Sequence, residues 1–385
     1  MTSIAITHAT IYDGSASNPY LANILLEDST ITACTTESIH ADTMIDAQQA
    51  PVVPGYIDIH HHGGAGGAYD DGSAAARKSL DAHYAHGTTR SLLSLVTGSV
   101  PTMAQRIAEL NPLVDDDPRV LGLHLEGPFL HPDFKGAHPE TLLRDPQLDA
   151  LGTLIDAADG RVRQVTLAPE RAGADAAIAW LMERGIHVAV GHTSATFEQA
   201  NTAFAAGADI LTHAFNGMQG IHHRAPGPVI AALRDPRVWL EIINDGIHVH
   251  PAVVRSLFLE APERVVLVTD AMAAACNPDG DYMLGELAVA VENGVARLKE
   301  GGSLAGSTLT MDRAVARAVH EEGMPLEVAV AAATTHPAAA IGLADRFGQI
   351  APGYPADILI LDPTSLLPRT IIGPAGRIDF PEATA

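Results

Sequence analysis

Cysteine, basic side chains and long apolar runs are what this 385-residue sequence has least of. Two cysteines, Cys34 and Cys276, allow at most one bridge, so neither a disulfide framework nor a cysteine-rich zinc module is possible. This usage predicts two reduced, buried thiols in an intracellular protein. Lys and Arg total 23 against 46 Asp and Glu, a formal net charge of −23, and no basic run interrupts the acidity. Nucleic acid and anionic membranes are therefore not expected as partners. A phosphate-bearing small molecule stays open, because one or two basic groups and backbone N–H donors make a local anion site inside an acidic protein. No stretch approaches the ~20 apolar residues a spanning helix requires. The N-terminal MTSIAITHATIYDG lacks the basic and then apolar pattern of a secretory signal. The expectation is a cytoplasmic protein.

What the chain does have is alternation. Eight short β-rich apolar runs follow one another at 52–60, 88–96, 120–127, 162–169, 187–193, 210–216, 239–245 and 264–270. Between them lie stretches of helical composition such as AAARKSLDAHYAHG and ATFEQANTAFAAG, several ending in Gly. Strand then helix, eight times, predicts an α/β fold, a (β/α)8 TIM-like barrel. Residues 1–51 carry strand-like patches instead, and the tail returns to FGQIAPGYPADILILDP. Two β-rich flanks around a barrel predict one small β-sandwich domain formed by the N- and C-terminal segments, 1–51 and 344–385, beside a barrel over 52–343.

Polar residues fall at informative places on this frame. His60, Glu126, His192, His213 and Asp270 stand at or near the C-terminal ends of their runs, where barrel enzymes hold catalytic groups. In an extended strand residues i and i+2 face the same way, so His60 and His62 of IDIHHH both point into the barrel mouth and His61 points away. Four histidines and two carboxylates suffice for two divalent ions sharing a bridging carboxylate, with His60, His62, Glu126, His192, His213 and Asp270 as the candidate ligands. Each of these motifs alone is also compatible with a solvated strand end or a capping Asp. Five strand ends together favour metal-assisted hydrolysis. His124, His222, His223 and His250 are left over, with surface or supporting roles expected.

HLEGPFL, KGAHP, VGHTSA, THAFNGM, RAPG, DGIHVHP, VTDAM and SLAGSTLTMD, in this order, resemble the N-acetylglucosamine-6-phosphate deacetylase family of the amidohydrolase superfamily. PGYIDIHHHGG and GQIAPGYPADILILD are similar to that superfamily's barrel-entry and closing β-domain signatures. The resemblance implies hydrolysis of a linear amide, releasing acetate from N-acetylglucosamine 6-phosphate, in amino-sugar catabolism. It implies one or two divalent ions per subunit, zinc first and iron, manganese or cobalt next, and a homodimer. Glu126, His192 and His213 correspond to the ligands all members hold. His60 and His62 correspond to a pair that some members keep with a second ion.

Asp270 resembles the catalytic aspartate, and beside a cation its carboxylate stays ionised to take and return a proton. His248 corresponds to a residue that contacts the acetyl carbonyl, where an imidazole N–H stabilises an oxyanion. At the phosphate end Ala137, His138, Asn216, Gly217, Arg224, Ser303, Leu304 and Ala305 fall on the family's substrate-binding positions. Arg offers a planar fork to phosphate, and small residues let backbone donors approach. The alternatives are the galactosamine epimer or another N-acyl sugar phosphate, and, in a different class, a non-catalytic sugar-phosphate-binding barrel. A cyclic amidase with a carboxylated lysine is disfavoured, since no Lys stands at a strand end.

Overall fold

The structure, a computed structural model, describes residues 3–381. Eight parallel strands form the central sheet: β1 (Tyr56–Asp58), β2 (Thr88–Leu95), β3 (Val120–Glu126), β4 (Val162–Leu167), β5 (His187–Val190), β6 (Ile210–Leu211), β7 (Trp239–Ile243) and β8 (Val265–Val268), neighbours in that order. The two ends of the sheet meet: the Asp270 N–H donates to His60 O at 2.9 Å, and the Thr269 hydroxyl donates to the Asp58 carboxylate at 2.6 Å. A helix follows each strand in turn, α1 (Ser73–Tyr84), α2 (Val100–Asp116), α3 (Leu148–Ala158), α4 (Ala174–Met182), α5 (Phe197–Ala206), α6 (Gly227–Arg234), α7 (Pro251–Glu260) and α8 (Met311–His320). This is the expected (β/α)8 barrel.

Why these segments take these forms is visible in their burial. Strands β2 and β3 are buried at every residue, because helices cover the outside and side chains fill the inside. Helix starts carry local signals: Ser99 accepts the Thr102 N–H before α2, and Thr196 with Gln199 forms a capping box before α5.

A second sheet of eight strands joins both termini. Ser3–Ile11 pairs with Tyr20–Glu27, and Pro51–Pro54 runs antiparallel to Ile358–Leu361. Ile6, Ile24, Val52, Ile358 and Ile360 form its own apolar cluster. The apolar run at 52–60 thus divides: Pro51–Pro54 belongs to the terminal sheet, and the barrel begins beyond Gly55 at Tyr56. A bidentate pair from Arg90 on β2 to Asp357, at 2.7 and 3.1 Å, fastens the two bodies.

Two features differ from the sequence expectation. Between β8 and α8 the chain forms a three-stranded antiparallel sheet, Gly280–Leu284, Leu287–Glu292 and Val295–Leu298, which no strand–helix alternation announces. The cysteines are both free, but Cys34 is half-buried and Cys276 is exposed, so the expectation of two buried thiols fails. Cys276 stands in the loop after β8 with φ +56°, past the end of the barrel core.

Candidate metal centre and its cavity

Six side chains from five strand ends converge at the C-terminal mouth of the barrel. His60, His62 and Asp270 form one triple, and Glu126, His192 and His213 a second, with the donor atoms of each triple within 4.8 Å of one another. Glu126 stands between them. Its Oε1 lies 3.1 Å from His213 Nε2, 3.2 Å from His192 Nε2 and 3.4 Å from His60 Nε2, and its Oε2 lies 3.2 Å from His62 Nε2. Asp270 Oδ1 is 3.2 Å from His62 Nε2 and 3.7 Å from His60 Nε2.

The far nitrogens of three of these rings are already committed. His60 Nδ1–H donates to Glu241 at 2.9 Å, His62 Nδ1–H to Ser94 O at 3.2 Å, and His192 Nδ1–H to Phe134 O at 2.8 Å. Each bond leaves Nε2 as the nitrogen facing the centre. The donor set fits divalent ions of zinc type: imidazole nitrogens and carboxylate oxygens and, among the described residues, two carboxylates with only imidazoles as ion-pair partners and a buried His60 Nε2 with no hydrogen-bond partner.

Electrostatics follow from that crowding. Burial works against charge on Glu126, yet His60 and the hydrogen bonds of His138, His192 and His213 hold its carboxyl well below the usual range. Burial likewise opposes charge on Asp270, and the His62 hydrogen bond with the His60 and His62 charges brings it down to about 2. A carboxylate that stays ionised in this pocket is a proton acceptor beside the place where an ion would sit.

The backbone bears strain at the same spot. His192, His213 and Asp270 have φ of +47°, +26° and +49°, a region that costs non-glycine residues about 1–3 kcal/mol each. Gly136 and Gly217 close on the His192 ring from two sides: a Cβ on either would come within 2.9 or 2.7 Å of it.

A cavity of about 240 Å³ opens over the cluster. His62, Glu126, His192, His213 and Asp270 reach its wall, as do Ala137, His138, Asn216, Gly217, His248, Ser303 and Leu304, so most of the expected site residues surround one space. Ala305 is fully buried behind it, and His60 lies beneath. His138, expected at the phosphate end, lies at the metal end instead: its Nε2 is 3.5 Å from Glu126 Oε2 and Nδ1 meets Thr97 Oγ1 at 2.9 Å. Burial pushes its ring down to about 4, so it is neutral. His248 donates from Nδ1 to Asp245 at 2.7 Å, and although burial opposes it, that carboxylate raises the imidazole above its ordinary value. Arg224 is exposed on the loop before α6 and does not reach the cavity of its own chain.

Sequence reasoning missed several participants. Leu284 of the three-stranded sheet and Val96 after β2 supply apolar wall. Glu241 in the middle of β7 lies under the cluster, and its signal was a lone charge inside the apolar run WLEIIND. His124 is buried against the His60 ring at 4.6 Å between centroids, held by Ser94 and Thr166. His61 turns away from the cluster onto Tyr69 and His83. His222, His223 and His250 are exposed.

The amidohydrolase family model matches residues 52–380. The N-acetylgalactosamine-6-phosphate deacetylase of Escherichia coli O157:H7 is 43% identical over 313 residues, 80% of this chain and 83% of that one. The N-acetylglucosamine-6-phosphate deacetylase of Vibrio furnissii is 36% identical over 350 residues, 90% of this chain and 87% of that one. Among solved structures, an N-acetyl-D-glucosamine-6-phosphate deacetylase variant from Mycobacterium smegmatis, in complex with N-acetyl-D-glucosamine 6-phosphate, superposes with a TM-score of 0.93 at 37% identity, covering 98% of this chain and 99% of the other. Fold, cluster and relatives agree: the chain belongs to the amidohydrolase family, in the group that contains the N-acetylglucosamine-6-phosphate deacetylases.

Proposed function

We propose that the protein hydrolyses the N-acetyl group of N-acetylglucosamine 6-phosphate, giving acetate and glucosamine 6-phosphate. The observation that carries this reading is the pair of metal-competent triples, with Glu126 of the second within 3.4 Å of His60 and 3.2 Å of His62 in the first, at the floor of a cavity that also holds an ionised aspartate. The relatives named above act on amino-sugar phosphates of this kind. A divalent ion, one or two per subunit and zinc before iron, manganese or cobalt, supplies Lewis acidity and acidifies water when bound. The residues that would hold it are His60, His62, Glu126, His192, His213 and Asp270.

Asp270 takes a proton from the attacking water at its carboxylate and passes it to the departing amine nitrogen. His248 in its imidazolium form, Nδ1–H anchored on Asp245, offers Nε2–H to the acetyl oxygen as negative charge develops there. His138, neutral and fixed by Thr97, orients the acetamide beside Glu126. Asn216, Gly217, Ala137 and the turn at Ser303, Leu304 and Ala305 enclose the sugar phosphate.

An exposed apolar groove supports a homodimer: Ile221, three residues before Arg224, is 53% exposed there, bounded by Phe215, Leu233 and Val253, and a second copy would cover it. In such a dimer Arg224 would serve the site of the neighbouring subunit. The same chemistry on the galactosamine epimer is the second reading, favoured by the 43% relative. Among the described residues no helix is long and apolar enough to cross a membrane. We place the enzyme in the cytoplasm, where sugar phosphates are found. Acetate release from both epimers, with metal analysis on the same sample, tests the proposal. No acetate from either sugar by metal-loaded protein refutes it.

A further inference from the structure

Glu241 is fully buried in β7, outside the cavity and beneath the metal cluster. Its carboxylate accepts three hydrogen bonds. One Oε2 takes the His60 Nδ1–H at 2.9 Å and the backbone N–H of His213 at 3.2 Å, and Oε1 takes the Gln164 amide at 2.8 Å. His60 is its ion-pair partner, and among the described residues no Lys or Arg pairs with it. A buried charge of this sort is costly unless something nearby compensates it. The two residues it grips belong to different triples, His60 to the one with His62 and Asp270, His213 to the one with Glu126 and His192.

The consequences of each contact differ. An acceptor on His60 Nδ1 keeps a proton there, so that Nε2, 3.4 Å from Glu126 and 3.7 Å from Asp270, is the nitrogen that would face an ion. The contact to His213 pins a main-chain turn with φ of +26°, which local preference alone would not hold. One carboxylate therefore sets a tautomer in the first triple and a backbone position in the second. We propose that Glu241 is a positioning residue that assembles both ion sites through His60 and the His213 turn. This deepens the metal-dependent reading and rests on it.

Two variants separate charge from geometry. Glu241→Gln keeps one oxygen for His60 and His213, while Gln164 reverses its amide to accept from the new NH2. Glu241→Leu fills similar space and leaves all three donors without an acceptor. Metal-stripped full-length protein is titrated with zinc against a chelating indicator, and 15N chemical shifts of its histidines read which ring nitrogen carries the proton. Outer carboxylates are typically worth ~10 to 100-fold in metal affinity. The expected result is a weakening of about tenfold for Gln and up to about a hundredfold for Leu, larger for the ion on His60 and His62.

The Gln variant should retain the Nδ1–H signature of His60 and the Leu variant should lose it. Should Leu fail to fold, the Gln titration and its histidine spectrum stand alone as the test. Wild-type zinc affinity in Glu241→Gln, or a wild type that binds no zinc, overturns the proposal. The deacetylase reading fails separately: a wild type that binds zinc tightly but releases no acetate from either sugar refutes that reading and leaves the role of Glu241 standing.

Discussion

Asp270→Asn is the sharpest perturbation of the proposed chemistry. The change preserves size and hydrogen-bonding shape, and Asn tolerates the left-handed backbone region that Asp270 occupies at φ +49°. The main-chain bonds that close the barrel here, from Asp270 N–H to His60 O at 2.9 Å and from Ser307 N–H to Asp270 O at 2.7 Å, do not involve the side chain. Fold should therefore survive. The Asp270 carboxylate pairs with His60 and His62, while the Glu126, His192 and His213 distances are independent of it. The ion on that second triple should remain.

What is lost is a carboxylate held ionised beside the cationic centre, available as a base throughout the neutral range. Proton transfer of this kind contributes ~100 to 10,000-fold, or about 2.7–5.5 kcal/mol of barrel-mouth catalysis. The assay is continuous acetate release under saturating N-acetylglucosamine 6-phosphate, with metal content measured on the same preparation. A variant retaining its ion and turning over within tenfold of wild type would refute the assignment and move the base elsewhere.

Further outcomes follow from the same geometry. His62→Ala should lower a two-ion protein to one ion per chain, because His62 touches Asp270 and Glu126 but not His192 or His213, and metal analysis giving one ion in wild type contradicts the shared-Glu126 centre. Arg224→Ala should cost about ten- to a hundredfold in kcat/KM toward the phosphorylated sugar and little toward the free sugar, the scale of a charge-assisted contact. Mixing Arg224→Ala with Asp270→Asn subunits should restore partial turnover in heterodimers, and equal harm to both sugars would assign Arg224 a structural role. His83 is buried against Gly63 O and pushed down to about 4 by burial. Between pH 6.5 and 4 the unfolded chain binds a proton there that the folded one does not, so stability should fall with pH in that window by up to ~3 kcal/mol. Thermal melts of His83→Gln should show a flatter acid limb, and an unchanged limb would contradict this.

Several elements could be read directly from the chain. Alternating apolar runs and helical stretches specify a barrel because both signals are local, short runs apolar throughout for strands covered on both faces and a 3.6-residue period for helices. The ends of those runs carry His60, Glu126, His192, His213 and Asp270, and parallel strands in one barrel put their C-terminal ends on one face. Convergence of these residues is thus a consequence of sequence order together with topology. Other features were not legible. Pro51–Pro54 and Tyr56–Asp58 form one continuous apolar run, yet they belong to different sheets, because strand partners are chosen by segments such as Ile358–Leu361, some 300 positions away. His138 was assigned by its motif to one end of the substrate and stands at the other, since the loop after β3 folds back over Glu126.

The sequence by itself determined the repeating strand–helix order, the acidity that disfavours nucleic acid, and the inventory of nitrogen and oxygen donors. These depend on composition and local periodicity alone. Only the tertiary structure decided which nitrogen of His60, His62 and His192 faces the centre, since that depends on acceptors as distant as Glu241, 181 positions from His60. Only it revealed that Glu241 accepts hydrogen bonds from a residue of each triple, that the excursion after β8 walls the cavity, and that Arg224 stays outside the cavity of its own chain. Those outcomes rest on long-range packing, where one buried acceptor or one crossing loop fixes a geometry that no nearby residue encodes.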